Sequence, residues 1–252
     1  MDSSILVFVL VGFIAQLIDG ALGMAYGVSS TTFLLSLGIA PAAASASVHT
    51  AEMFTTFVSG LAHLKLGNVD KELLKKLLAP GVVGGVLGAY ILTTVPGSII
   101  KPLISAYLLV MGLVILRKAL QTQQGAEKEV RLIPLGLIGG FFDAVGGGGW
   151  GPIVTTTLVA RGKHPRFAIG SVNLTEFFVT VAESVTFILT IGVMHWHIVA
   201  GLIIGGVLAA PLGAVICQKL PRRALMTFIG VLIVILSIRT ICVAGILPLL
   251  LK

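Results

Sequence analysis

The chain has 252 residues, 56% of them hydrophobic and only 11% charged, and its mean hydropathy is +1.07. A soluble domain carries about 25% charged residues, so this composition excludes an ordinary soluble fold and points to a membrane. The formal net charge of +7 would suggest nucleic acid in a soluble protein. Here the basic residues sit in short loops between apolar runs, and no nucleic-acid partner is expected.

Apolar runs recur along the chain, and a span needs roughly 20 residues at 1.5 Å rise. They lack the two-residue alternation of barrel strands, so an all-α membrane protein is expected. The start, MDSSILVFVLVGF, carries Asp2 where a signal peptide would be basic, and reads as an uncleaved membrane segment. A glycine-broken segment covers 5–37, and helices follow over about 41–65, 73–95 and 99–118. A polar linker covers 121–131. A second broken segment covers 132–160, with helices over about 165–192, 196–218 and 222–247. Cys217 and Cys242 lie singly in apolar runs, without metal-ligand spacing, and read as small core residues.

The two halves, about 5–120 and 132–247, repeat one another. At an offset of 124 without a gap, Asp19 aligns with Asp143, Gly23 with Gly147, Gly27 with Gly151 and Thr31 with Thr155. Gly38 meets Gly162, Pro41 meets Pro165, Glu52 meets Glu176 and Thr56 meets Thr180. One inserted residue makes the offset 125, and Gly67 then meets Gly192, Gly88 meets Gly213 and Pro96 meets Pro221.

Each arm of a broken segment is expected to have about 13 to 15 residues, roughly 20 Å of helix and too short to cross about 30 Å of hydrocarbon. If each segment turns back to its own side, one face collects Lys65, Lys71, Lys75, Lys76, Arg117, Lys118, Lys128, Arg131, Arg161, Lys163, Arg166, Lys219, Arg222 and Arg223. The other face keeps Lys101 and Lys252, with Arg239 inside the last helix. The positive-inside bias makes the basic face cytoplasmic and puts both termini outside. Each unit then has three full crossings, so the expectation is a polytopic bundle of two inverted repeats, each a re-entrant hairpin plus three transmembrane helices, in a cell inner membrane.

The paired hairpins DGALGMAYG and DAVGGGGWG resemble the sulfite exporter family (TauE/SafE), as do GIAPAAASASVHTAE and GKHPRFAIGSVNLTE. The resemblance covers both halves. It implies a transporter of small sulfur-containing anions, sulfite or an organosulfonate.

Hairpin tips free backbone amides that attract an anion, and glycine allows close approach. Gly23, Gly27, Gly147, Gly148 and Gly151 are therefore candidate substrate-binding residues, with the hydroxyls of Ser29, Thr31 and Thr155. The alternative is plain helix packing, as expected of GVVGGVLGA at 81–89 and GLIIGG at 201–206. Asp19 and Asp143 either cap the amides of their own breaks or serve a proton or cation. His49, Glu52 and Thr56 share one helix face, matched by Asn173, Glu176 and Thr180 and extended by Glu183. Such a stripe faces a bundle interior or wet cavity. Glu52 and Glu176 are candidate coupling acids; His49 and Asn173 are candidate substrate contacts. Arg239 either snorkels or pairs, and Trp196, between His195 and His197, reads as an interfacial belt residue.

The expected function is secondary transport of a small anion by alternating access, with proton coupling through the acids. An anion channel, or a cation or metal transporter using the intramembrane acids, remains the alternative. No enzyme is expected, since neither H-E-x-x-H nor G-x-S-x-G occurs, and Gly146–Gly151 match G-x-G-x-x-G only formally. No cofactor and no metal site are expected; the partners are the anion and the bilayer, with a homo-oligomer left open.

Overall fold

A computed structural model describes residues 3–120, 129–192, 195–217 and 222–243. Asp2, most of the expected linker (121–128), the expected helix end at 244–247, and Lys128, Lys219 and Lys252 lie outside the described residues. The described chain is helical. Helix α1 (Ser3–Leu22) and α2 (Tyr26–Ser36) form the first hairpin, followed by α3 (Pro41–Lys65), α4 (Lys71–Thr94) and α5 (Gly97–Ala119). Helix α6 (Leu132–Gly146), a π-helical turn (Gly151–Thr155) and α7 (Thr156–Ala160) form the second, followed by α8 (Pro165–Thr190), α9 (Trp196–Ile216) and α10 (Arg222–Val243). Among the described residues, five helices are long and apolar enough to cross a membrane: α1, α4, α5, α8 and α9.

Local sequence explains where several helices begin. Pro41 and Pro165 occupy the first helical positions of α3 and α8, where a missing N–H costs nothing. Asp70 caps α4, its carboxylate accepting from the amides of Glu72 (3.0 Å) and Leu73 (3.2 Å).

Three of the four arms depart from the expected length. Helix α1 has 20 residues, not 13 to 15, because Gly20 continues the helix and the break falls at Gly23–Ala25. Gly20 stays helical where it packs on Gly213 of α9: a Cβ on Gly20 would lie 3.0 Å from the Gly213 Cα. The other arms are shorter: 11 residues in α2, 15 in α6, and five each in the π turn and α7.

Glycine ridges set the helix pairs. Helix α1 runs parallel to α9, with Gly201 beside Phe8, Gly205 beside Val9 and Phe13, and Gly213 beside Gly20. Helix α6 runs parallel to α4 in the same manner, with Gly136 beside Pro80, Gly140 beside Gly81 and Gly85, and Gly88 beside Phe141 and Ala144. Small residues let backbones approach closely, which is how helices associate where no hydrophobic force separates them from lipid. Helices α3 and α8 cross at the centre, with Gly60 beside Leu174 and the Phe57 ring tilted against Phe177, centroids 5.2 Å apart. Helix α5 packs on α10 through Gly112 and Gly230. Every one of these pairs maps onto a pair under the sequence alignment of the halves.

The arms of each hairpin close on their own set of contacts. The arms of the first meet where Phe8 touches both Phe33 and His197. The arms of the second meet where Glu129, Val130 and Leu132 face Leu158, Arg161 and Lys163 around a small pocket. That second end is tied by polar contacts. Lys163 Nζ lies 3.0 Å from the Asp70 carboxylate, and this pairing holds the Asp70 carboxyl below the usual carboxylate range. Arg166 donates to Asn68 (2.5 Å) and to the Leu66 carbonyl (2.7 Å). Asn68 in turn bonds His63 (3.0 Å), whose Nε2 reaches the Gly20 carbonyl (2.9 Å). Arg239 and Trp196 are exposed.

Candidate functional site

The two hairpin tips meet at the centre and lock. Gly23 and Gly147, aligned in the repeat, both end their helices in the left-handed conformation, at φ 66° and 65°. The Thr31 hydroxyl donates to the Gly147 carbonyl (2.5 Å), and the Thr155 hydroxyl donates to the Gly23 carbonyl (2.6 Å). Thr31 aligns with Thr155, so each tip holds the other by the same bond. A Cβ on Gly27 would lie 2.7 Å from the Gly148 Cα, and one on Gly151 would lie 2.5 Å from the Met24 Cα. Only hydrogen-sized side chains fit there.

The amides freed by the breaks already have acceptors. Asp143 Oδ1 accepts from the amides of Gly149 (2.7 Å) and Trp150 (3.0 Å), while the Asp143 carbonyl accepts from Gly148 (2.9 Å). Asp19 accepts from the Tyr26 amide, the aligned position, and Glu52 accepts from the Gly27 amide. Both aspartates thus cap their own breaks. Aromatic anchors fix the turns from outside. Trp150 Nε1 donates to the Val172 carbonyl (3.2 Å), and the aligned Tyr26 hydroxyl donates to the Leu202 carbonyl (3.3 Å).

Around the tips stand five buried acids: Asp19, Glu52, Asp143, Glu176 and Glu183. They lie close enough to act on one another electrostatically. An oxygen of each lacks a hydrogen-bond partner, and Glu183 lacks one on both. The buried histidine His49 stands among them, its Nε2 3.0 Å from Glu183 Oε2 and 3.8 Å from Asp143 Oδ2. Its Nδ1 lies 2.8 Å from the Ser45 carbonyl, and the Ser45 hydroxyl donates to the Ala144 carbonyl (2.7 Å).

At the aligned place, Asn173 and Ser59 face each other instead, the Ser59 hydroxyl donating to Asn173 Oδ1 (2.7 Å). Thr56, by contrast, bonds only its own helix, at the Glu52 carbonyl (2.6 Å). Ser29 does not join the tips. Its hydroxyl donates to the Ala25 carbonyl (2.5 Å), and it lines an apolar pocket with Val11, Ile14, Phe33, Phe228 and Leu232. The α2 face bearing Ser29 packs toward α1 and α10, one helical face away from Thr31. One participant, Ser45, escaped the sequence-based site, as did one contact of Glu183. Ser45 is one turn before His49 on the same face; Glu183 extends the Glu176 stripe but gave no sign that it would reach His49.

An all-helical, multi-pass membrane protein with two broken hairpins meeting among buried acids is the class this geometry defines. Residues 8–240 match the family model for Sulfite exporter TauE/SafE. The chain belongs to that family, a family of membrane transporters. It is similar to "Probable membrane transporter protein YtnM" of Bacillus subtilis (strain 168), 44% identical over 247 residues, which are 94% of this chain and 82% of that protein. No solved structure matches the chain significantly.

Proposed function

We propose that this transporter moves a sulfur oxyanion such as sulfite, with proton exchange at the buried acids and access alternating between the two ends. The observation that carries this reading is the ring of five acids with unpartnered oxygens against the interlocked tips. An acid carrying a proton donates a hydrogen bond to an oxyanion and no longer repels it. Intramembrane acids mark proton relays and substrate paths. The family description, Sulfite exporter TauE/SafE, supports the anion class. The two units form inverted repeats, with the Lys163 end cytoplasmic and both termini outside; the basic loops gathered at that end support this orientation. Broken helices meeting at mid-membrane are the usual place for such a substrate.

In this scheme Gly23, Gly27, Gly147, Gly148 and Gly151 line the path, and Thr31 and Thr155 exchange their inter-tip bonds for bonds to the anion. Glu52 and Glu176 carry the protons. Radiolabelled sulfite uptake into proteoliposomes tests it. Uptake should rise with an imposed pH gradient, and Glu52→Gln and Glu176→Gln should each remove the gradient dependence. Uptake indifferent to the gradient in the unaltered protein would refute coupling, and absence of sulfite uptake or competition would refute the substrate.

A further inference from the structure

We infer that His49, Asp143 and Glu183 form a binding site for one divalent transition-metal ion. Their ligand atoms all lie within 4.8 Å of one another, the one grouping of this kind among the described residues. All three side chains are buried, at 0% to 2% exposure. His49 Nε2, Asp143 Oδ2 and both Glu183 oxygens have no hydrogen-bond partner, although they point at one another. Glu183 Oε2 approaches Nε2 to 3.0 Å, and Asp143 Oδ2 lies 3.8 Å from the same nitrogen.

The surroundings prepare each ligand. The Ser45 carbonyl, 2.8 Å from His49 Nδ1, fixes the proton there and leaves Nε2 bare. Metal-ligating histidines are held this way, through the other ring nitrogen. Asp143 uses Oδ1 for the amides of Gly149 and Trp150, which aims Oδ2 at the cluster. Gly85 makes room for Glu183: a Cβ there would lie 2.5 Å from Glu183 Oε1. One imidazole and two carboxylates suit Zn²⁺, Co²⁺ or Mn²⁺ rather than a soft Cu⁺. Three protein ligands leave a coordination position open.

The aligned half supplies an internal contrast. His49, Asp143 and Glu183 correspond to Asn173, Asp19 and Ser59, and Asn173 and Ser59 satisfy each other by a 2.7 Å hydrogen bond. Stoichiometry is therefore one ion per chain. The ion would join α3, α6 and α8, and its two positive charges would balance two of the five acids. The site does not depend on the nature of the transported substrate.

The test uses the full chain in detergent, stripped with chelator and titrated with Co²⁺. One equivalent should bind, give visible ligand-field absorption, and raise the melting temperature, since binding to the folded state alone stabilises it. Glu183→Gln, close in shape to the native side chain, should lose the absorption and weaken binding at least about tenfold; so should His49→Ala. Ser59→Ala should bind Co²⁺ as the unaltered chain does. Failure to bind one equivalent, or unchanged affinity in the two ligand variants, overturns the proposal, and the cluster is then a proton-sharing group. Because the readout is equilibrium metal binding, a failed sulfite assay leaves it untouched.

Discussion

The two halves carry the same bonds at the tips and different chemistry one layer away. Thr31 and Thr155 make reciprocal bonds to Gly147 and Gly23, and Asp19 and Asp143 cap aligned amides. Where α3 crosses α8, one place holds His49 and Glu183 at 3.0 Å, the other Ser59 and Asn173 at 2.7 Å. Backbone geometry is thus kept where it builds the fold. Charge diverges where geometry alone does not dictate it. A duplicated scaffold can in this way hold a titratable site on one side and a neutral support on the other.

The largest effect should come from the tip contact. Gly148 adopts φ 147° with its missing Cβ directed at the backbone of Gly27 and Val28, so Gly148→Ala should cost about 4 kcal/mol or more. Gly38, at φ 90° in open space, should lose only about 1 kcal/mol as Ala. Thermal unfolding in detergent measures both; similar losses would mean the tips do not press together as described.

Next is the charged pair against its neutral counterpart. Glu183→Ala takes away the carboxylate 3.0 Å from buried His49 and leaves a void among α3, α6 and α8, and should cost about 3 kcal/mol or more. Ser59→Ala removes one interhelical hydrogen bond, about 1 kcal/mol. Equal costs would erase the difference between the halves. The reciprocal tip bonds give a smaller and symmetric pair: Thr31→Val and Thr155→Val should each cost about 1 kcal/mol, and the same amount within error. A marked inequality would show that one tip bears the other.

The smallest effect lies at the loop end. Lys163 holds the Asp70 carboxyl low, so the pair's stabilisation is present above the usual carboxylate range. It is lost as pH falls through the lowered value. Asp70→Asn keeps a capping side chain while losing the charge. The melting-temperature gap between it and the unaltered chain should be small at neutral pH, as befits a half-buried pair at a loop, and should close on acidification. A gap that widens in acid would contradict the assignment.

Sequence carried much of this fold because its signals are local. Prolines at the first turn opened α3 and α8, and the apolar runs could only be helices. The length of α1 was not legible, because glycine marks either a break or a close contact. Gly20 contacts Gly213 and Gly23 turns the chain, a difference that only the partner helix decides. The site was legible as residue types and faces. The hydroxyls of Thr31 and Thr155 were visible, but their acceptors lie 116 and 132 residues away. Ser29 looked equivalent, yet a two-residue step along a helix turned it toward α1 and α10. The His49–Glu183 contact depended on how α3 crosses α8, which periodicity does not encode.

The interleaved glycines have an evolutionary consequence. A side chain added at Gly27 collides with Gly148, and one added at Gly151 collides with Met24, so each half constrains substitutions in the other. Because the atoms met are mostly backbone, no side-chain change in the facing tip makes room, and these positions are held to glycine. Chemistry differs between the halves at positions such as His49 and Asn173, where side chains rather than backbones meet.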